Sequence, residues 1–212
     1  MTNFIPIFPL SLVVFPGEKL NLHIFEPRYK QLIKECMENK KPFGIPAVIN
    51  NTVKEMGTLV QVTELCKQYD DGRMDIKTEG LEVFKILEII KDLPNKEYSG
   101  AIVTYPPNEV KKSAAKMKMI LQSLRNLHSK LGVSKHFDKS DDMLCSYDVA
   151  HHLGLPPQDE YHLLELHREL QREEFIMRYL LKVLPIMEHM DILKGRIKMN
   201  GHFKNGEGFS LK

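Results

Sequence analysis

Tryptophan is absent from this sequence, and cysteine occurs only three times, at Cys36, Cys66 and Cys145. The cysteines are odd in number, far apart and never in a C-x-x-C pair. Neither a disulfide framework nor a zinc site is indicated, and a reducing compartment is expected. No run of about 18 uncharged apolar residues occurs, which removes a membrane-spanning helix. The amino terminus lacks a basic n-region, and Pro6, Pro9 and Pro16 interrupt its apolar run, unlike a secretory signal. The expected location is therefore cytoplasmic. A charge excess is missing too: 30 basic against 28 acidic residues leaves +2. That balance argues against nucleic acid or an anionic membrane as the main partner.

Catalytic signatures are equally scarce. There is no G-x-x-x-x-G-K-[ST] to cradle phosphate, no G-x-G-x-x-G for a dinucleotide, no G-x-S-x-G elbow and no H-E-x-x-H. Nine histidines are present, four of them at His151, His152, His162 and His167. Adjacent His151 and His152 point about 100° apart on a helix, and a five-residue spacing does not stack His162 on His167. They read as surface and packing residues, so no metal and no cofactor is expected.

What is present is organised around residues 9–29. Pro16-Gly17 is a turn signal following a strand-like run from Pro9 to Phe15, because Pro sets φ at one corner and Gly accepts positive φ at the next. Leu20, Leu22 and Ile24 alternate with Asn21 and His23, as in a half-buried strand. At Glu26-Pro27 the period changes: Tyr29, Leu32, Ile33, Cys36 and Met37 follow helical spacing, with Pro27 at the tolerant first position.

Phe15-Pro16-Gly17, then Leu22 to Tyr29 and Leu32, resemble the opening of the Lon protease amino-terminal domain, the LON substrate-binding domain. Met56-Gly57-Thr58-Leu59, Asp71 to Ile76 and Glu79 to Leu87 are similar to that family's later strand motifs, in the same order. Ser146 to Leu153 and the helices after it resemble its helical part, so the resemblance spans roughly residues 4–195. In full-length Lon enzymes an ATPase module and a Ser-Lys protease module follow this domain. Neither has a counterpart within these residues, so the resemblance implies a stand-alone, non-enzymatic recognition module.

Read in order, Phe4 to Leu10 suits an edge strand because two of its residues are proline. A helix over 27–38 is followed by strands at 43–49, 58–69, 73–78, 83–90 and 98–105, with turns at Asn50-Asn51 and Asp70-Asp71-Gly72. Short strands with one helix and no βαβ alternation favour a rolled barrel over a doubly wound sheet. Pro106-Pro107 marks a composition shift. Beyond it come a helix from an Asn108 cap to Gly132, a loop over 134–142, short helices over 143–153 and from Pro156, and a long helix over 168–197. Pro185 is expected to kink or break the last of these.

The expected fold class is α+β: an amino-terminal rolled, β-barrel-like and PUA-like domain with one helix (1–105), a carboxy-terminal helical bundle (108–197) and a mobile tail (198–212). The expected function is protein or peptide binding, of unfolded or exposed apolar segments, directly or as an adaptor to a protease or chaperone. The mechanism is apolar burial in a groove between the halves, with backbone pairing at an open strand edge. Candidate peptide-binding residues are Phe15, Pro16, His23, Arg28 and Tyr29. Three of these also have a structural reading: Phe15 and Pro16 as a turn over a buried aromatic, Arg28 as a pin to Glu26 or Glu79. Two rival readings are a hydrolase role inherited from full-length Lon, and RNA binding by a PUA-like barrel, which near-neutral charge and the lack of tryptophan disfavour.

Overall fold

The computed structural model describes residues 2–202, with side chains described for residues 2–190. The β half comprises β1 (Thr2–Pro6), β2 (Lys19–Ile24), α1 (Pro27–Asn39), β3 (Phe43–Ile49), β4 (Thr52–Gln68), β5 (Met74–Ile90) and β6 (Gly100–Thr104). The helical half comprises α2 (Ala114–Leu131), α3 (Ser146–Ala150), α4 (Pro157–Glu165) and α5 (Glu169–His202).

Local chemistry explains most boundaries. Pro27 opens α1, and Lys40 closes it in the left-handed region at φ 51°. Asn50 and Asn51, at φ 53° and 59°, make the two-residue hairpin turn between β3 and β4. At the β4–β5 tip only Gly72 is left-handed, at φ 80°, so Asp71 does not share the strained corner as the sequence suggests. Gly132 caps α2 at φ 66°.

The sheet runs β1-β6-β5-β4-β3, with every strand pair antiparallel and β2 added along the first part of β5. After β1 the chain continues parallel to β3: Phe8 N–H donates to the Gly44 carbonyl at 2.8 Å, and Val48 N–H to that of Leu10 at 2.8 Å. These bonds curl the two ends of the sheet together. Residues 9–15 are therefore not the expected strand. They form an irregular segment laid across β4 and β5, held where the Thr58 hydroxyl donates to the Val14 carbonyl at 2.5 Å.

β5 is one long strand where the sequence suggests two. Its interruption, Gly80, is a contact point: Gly17 N–H donates to the Gly80 carbonyl at 2.8 Å, and Gly80 N–H to that of Glu18 at 2.9 Å. A Cβ on Gly80 would stand 2.3 Å from the Phe15 carbonyl oxygen. This close approach turns the Phe15 ring away from the sheet into the helices, where it stacks on Tyr147 at 5.3 Å between centroids.

The helical half also departs from the sequence reading at its start. Residue 108 does not cap a helix; Glu109 instead pairs with the α4–α5 connection, donating N–H to the His167 carbonyl and accepting from Glu169 N–H, both at 2.8 Å. Ser113 is the actual cap of α2, and Val110, expected in its apolar stripe, is 76% exposed. Only Ser146–Ala150 of the expected 143–153 helix is helical. Pro185 lies inside α5 without breaking it. Helix α5 also continues to His202 where a tail is expected from 198, and residues 203–212 of that expected tail lie outside the described residues.

The two halves share a core. Val13, Phe15, Ala47, Met56 and Val83 of the β half are buried in one cluster with Met117, Ile120, Leu124, Leu163, Ile176 and Leu180 of the helices. Beneath it sits a buried ion pair. Arg172 and Glu169, each 1% exposed at the side chain, meet at 2.8 Å. Glu169 also accepts from the backbone N–H and the hydroxyl of Ser146, both at 2.7 Å. Arg172 donates further to Asn108 Oδ1 at 3.0 Å and the Leu166 carbonyl at 2.7 Å, and its guanidinium lies 4.2 Å from the Tyr147 ring centroid.

A second tie crosses the halves at the surface. His151 of the α3 segment bonds Glu18 of the turn before β2 at 3.0 Å and Glu160 of α4 at 2.8 Å. Burial opposes a charge on this ring, but the two carboxylates outweigh it and raise its pKa to about 10.

Three outcomes follow from these contacts. Arg172→Ala leaves the Glu169 carboxylate buried and unpaired and costs about 3–5 kcal/mol in urea unfolding, much of which the double change Arg172→Met, Glu169→Leu restores. Gly80→Ala forces the 15–18 turn off β5 and lowers Tm by several degrees, since displacing a packed turn costs of order 1–3 kcal/mol. The His151 contribution is complete below its ordinary value of 6.5 and disappears as pH rises toward about 10. Unfolding measured across that window shows a decline that is shallower in His151→Gln.

Candidate functional site

The isolated bridge between Ile7 and Gly44 marks where the β1 segment meets β3. Upstream of it the two diverge, and β1 has no strand on that side among the described residues. The seam opens into a cleft of about 880 Å³. Its walls include Phe4, Ile5, Leu59, Leu93, Tyr98 and Tyr105. Pro6 and Pro42 stand on its two sides, and neither can donate a bond to close it.

The amino-terminal wall has a defined phase. Ile7 N–H donates to the Ser99 carbonyl at 3.0 Å, and Phe8 N–H faces β3. With Ile5 opposite Ala101 and Phe4 opposite Ile102, the odd residues of β1 bond β6, while Thr2 and Phe4 turn their N–H and C=O groups into the opening. The Phe4 ring lies over Gly100, where a Cβ would meet it at 2.3 Å, and is 52% exposed. Ile5 points the other way, into a core cluster with Leu59, Phe84 and Val103.

The rim is set by α1. Glu35 accepts from Lys96 Nζ at 2.6 Å and Tyr98 hydroxyl at 2.7 Å. Burial pushes its carboxyl up, but these bonds prevail and hold it below the usual range. Burial and the neighbouring carboxylate raise the Tyr98 phenol and push the Cys36 thiol up to about 12. Both groups thus stay neutral at physiological pH and offer the cleft a packing surface. Lys41, also on the rim, has no carboxylate within ion-pair distance among the described residues.

The candidate residues from the sequence do not gather in one place. Phe15 is fully buried in the shared core, and Tyr29 is buried against Phe8 at 3.9 Å between centroids. His23 is exposed on β2, bonded to Asp75 at 2.5 Å. Arg28 pairs with Glu26 at 2.7 Å, one of its two expected partners, and lies 4.5 Å over the Tyr29 ring. Pro16 borders a separate, polar cleft of about 590 Å³ between the halves, with Glu18, Lys139, Asp148 and His151. The apolar groove expected between the halves is filled by the shared core, and the large apolar cleft lies in the seam instead. Of the seam residues, only the proline-bearing edge strand gives a sequence signal.

The family described as the ATP-dependent protease La (LON) substrate-binding domain has a model that matches residues 5–182. The fold is similar to the crystal structure of a Lon N-terminal domain protein from Xanthomonas campestris, with 20% identity, 83% of this chain and 98% of that chain covered, and a TM-score of 0.66. It is also similar to the N-terminal domain of a Mycobacterium avium complex Lon protease, at 13% identity, with 84% and 98% of the two chains covered and a TM-score of 0.59. At such identities the structures speak for the fold, and the family assignment rests on the sequence match. Matched from the end of β1 into α5, this chain belongs to the LON substrate-binding domain family.

Proposed function

We propose that this chain is a non-enzymatic recognition module, acting in the cytoplasm, that binds unfolded or exposed apolar segments of other polypeptides or acts as an adaptor delivering them to a protease or chaperone. The observation that carries this reading is the seam cleft. It is large, lined by aromatic and aliphatic side chains, and bordered by polar backbone that has no partner among the described residues. Ligand sites typically combine apolar walls with a few directed polar groups.

The chemistry elsewhere fits binding better than catalysis. The Cys36 and Cys145 thiols are raised by burial to about 12 and 11, which disfavours a thiolate nucleophile. The Ser146 hydroxyl is engaged with Glu169 and Arg172. His23, Arg28 and Pro16 are accessible enough to add contacts outside the seam, while Phe15 and Tyr29 are buried and serve packing.

Binding of fluorescently labelled, unfolded casein, followed by anisotropy, tests the reading. Phe4→Asp is expected to weaken binding about tenfold, or roughly 1.4 kcal/mol, while Leu181→Asp on the exposed side of α5 leaves it unchanged. Casein that binds no better than a compact folded protein overturns the proposal.

A further inference from the structure

We infer that the seam takes its ligand as an added β-strand, an extended segment that hydrogen-bonds to Thr2 and Phe4 of β1 with alternate amides. This rests on the polypeptide-binding reading above and specifies its mode.

The register leaves few choices. Along β1 and the residues after it, the side facing β3 is the side of Phe4, Pro6, Phe8 and Leu10. Phe8 and Leu10 use that side for β3, through N–H bonds to the Gly44 and Pro46 carbonyls at 2.8 and 3.3 Å. Below the Ile7–Gly44 bridge the same side has no strand partner among the described residues, and it continues the same ladder with Phe4 and Thr2. A helix has no backbone groups to spare for such an edge, because its own bonds consume them. An extended chain offers an N–H and a C=O at every second residue.

Side-chain preferences follow from the pleat. The ligand residue opposite Phe4 shares its face and lies beside the Phe4 ring. The residues flanking it fall on the Ile5 face, next to Leu59 and Tyr105, so a large apolar side chain is favoured there. Proline is excluded at the residues whose N–H meets the Phe4 and Thr2 carbonyls, and tolerated between them. Either strand polarity keeps this two-residue alternation.

The test is an ester scan. Short overlapping casein peptides are screened against the full chain, and the tightest binder is resynthesised with each backbone amide replaced in turn by an ester, which removes one N–H and weakens the adjoining carbonyl as an acceptor. Loss of about three- to tenfold is expected at alternate positions, with the intervening ones nearly unchanged. Weaker binding of the peptide to the Phe4→Asp variant localises it to the seam in the same assay, and unchanged binding overturns strand addition at β1. A flat profile, or losses at consecutive positions, for a peptide that Phe4→Asp still weakens, overturns strand addition and leaves the recognition function standing. Absence of binding by every peptide while intact casein binds overturns strand addition alone, and absence of binding by peptides and casein alike overturns both.

Discussion

There is no room for a side chain at residue 80, and much of the architecture depends on that. The Phe15 carbonyl sits where a Cβ would be, and reciprocal backbone bonds join Gly80 to Gly17 and Glu18. Held this close to β5, the turn sends Phe15 out of the sheet and into the helices. An aromatic ring from the β half thereby becomes part of the helical core, stacked on Tyr147 and beside His151. The same turn supplies Glu18, whose carboxylate accepts from Phe15 N–H at 2.8 Å and meets His151. One missing Cβ thus permits both the apolar and the ionic link between the halves.

On the helical side, burial of charge has a comparable role. A guanidinium and a carboxylate removed from water recover that cost only when nearly all their bonding capacity is met. Arg172 and Glu169 meet that condition by drawing on residue 108, α3, the end of α4 and the start of α5. The connection after β6 is consequently extended and paired where its sequence suggests a helix. Glu173 continues the pattern by accepting from Ser113 N–H at 2.9 Å at the cap of α2, and burial raises its carboxyl above the ordinary value.

Because the shared core fills the space between the halves, the apolar opening falls elsewhere, at the seam where the curled sheet fails to close. Two prolines and a diverging edge keep it open, while the inert Cys36 and Tyr98 line it. The opening lies within the residues matched by the LON substrate-binding domain family, and it combines apolar side chains with strand backbone that has no partner among the described residues.

Elements whose cause is local are legible along the chain. Alternation in Lys19–Ile24, helical spacing from Pro27, the Asn50-Asn51 turn and the Gly132 cap act over a few residues, and the motif order around residues 15–32 and 56–87 carried the family. That residues 9–15 are not a strand, that β5 runs through Gly80, and that Arg172 is buried are consequences of long-range packing. Each of these depends on partners far along the chain, such as Val14 with Thr58 or Asn108 with Arg172. The candidate site divides the same way: an edge strand is legible from Pro6 and Pro9, but which side of it has no neighbour among the described residues depends on where β3 departs, a property of the whole curled sheet and of no single segment.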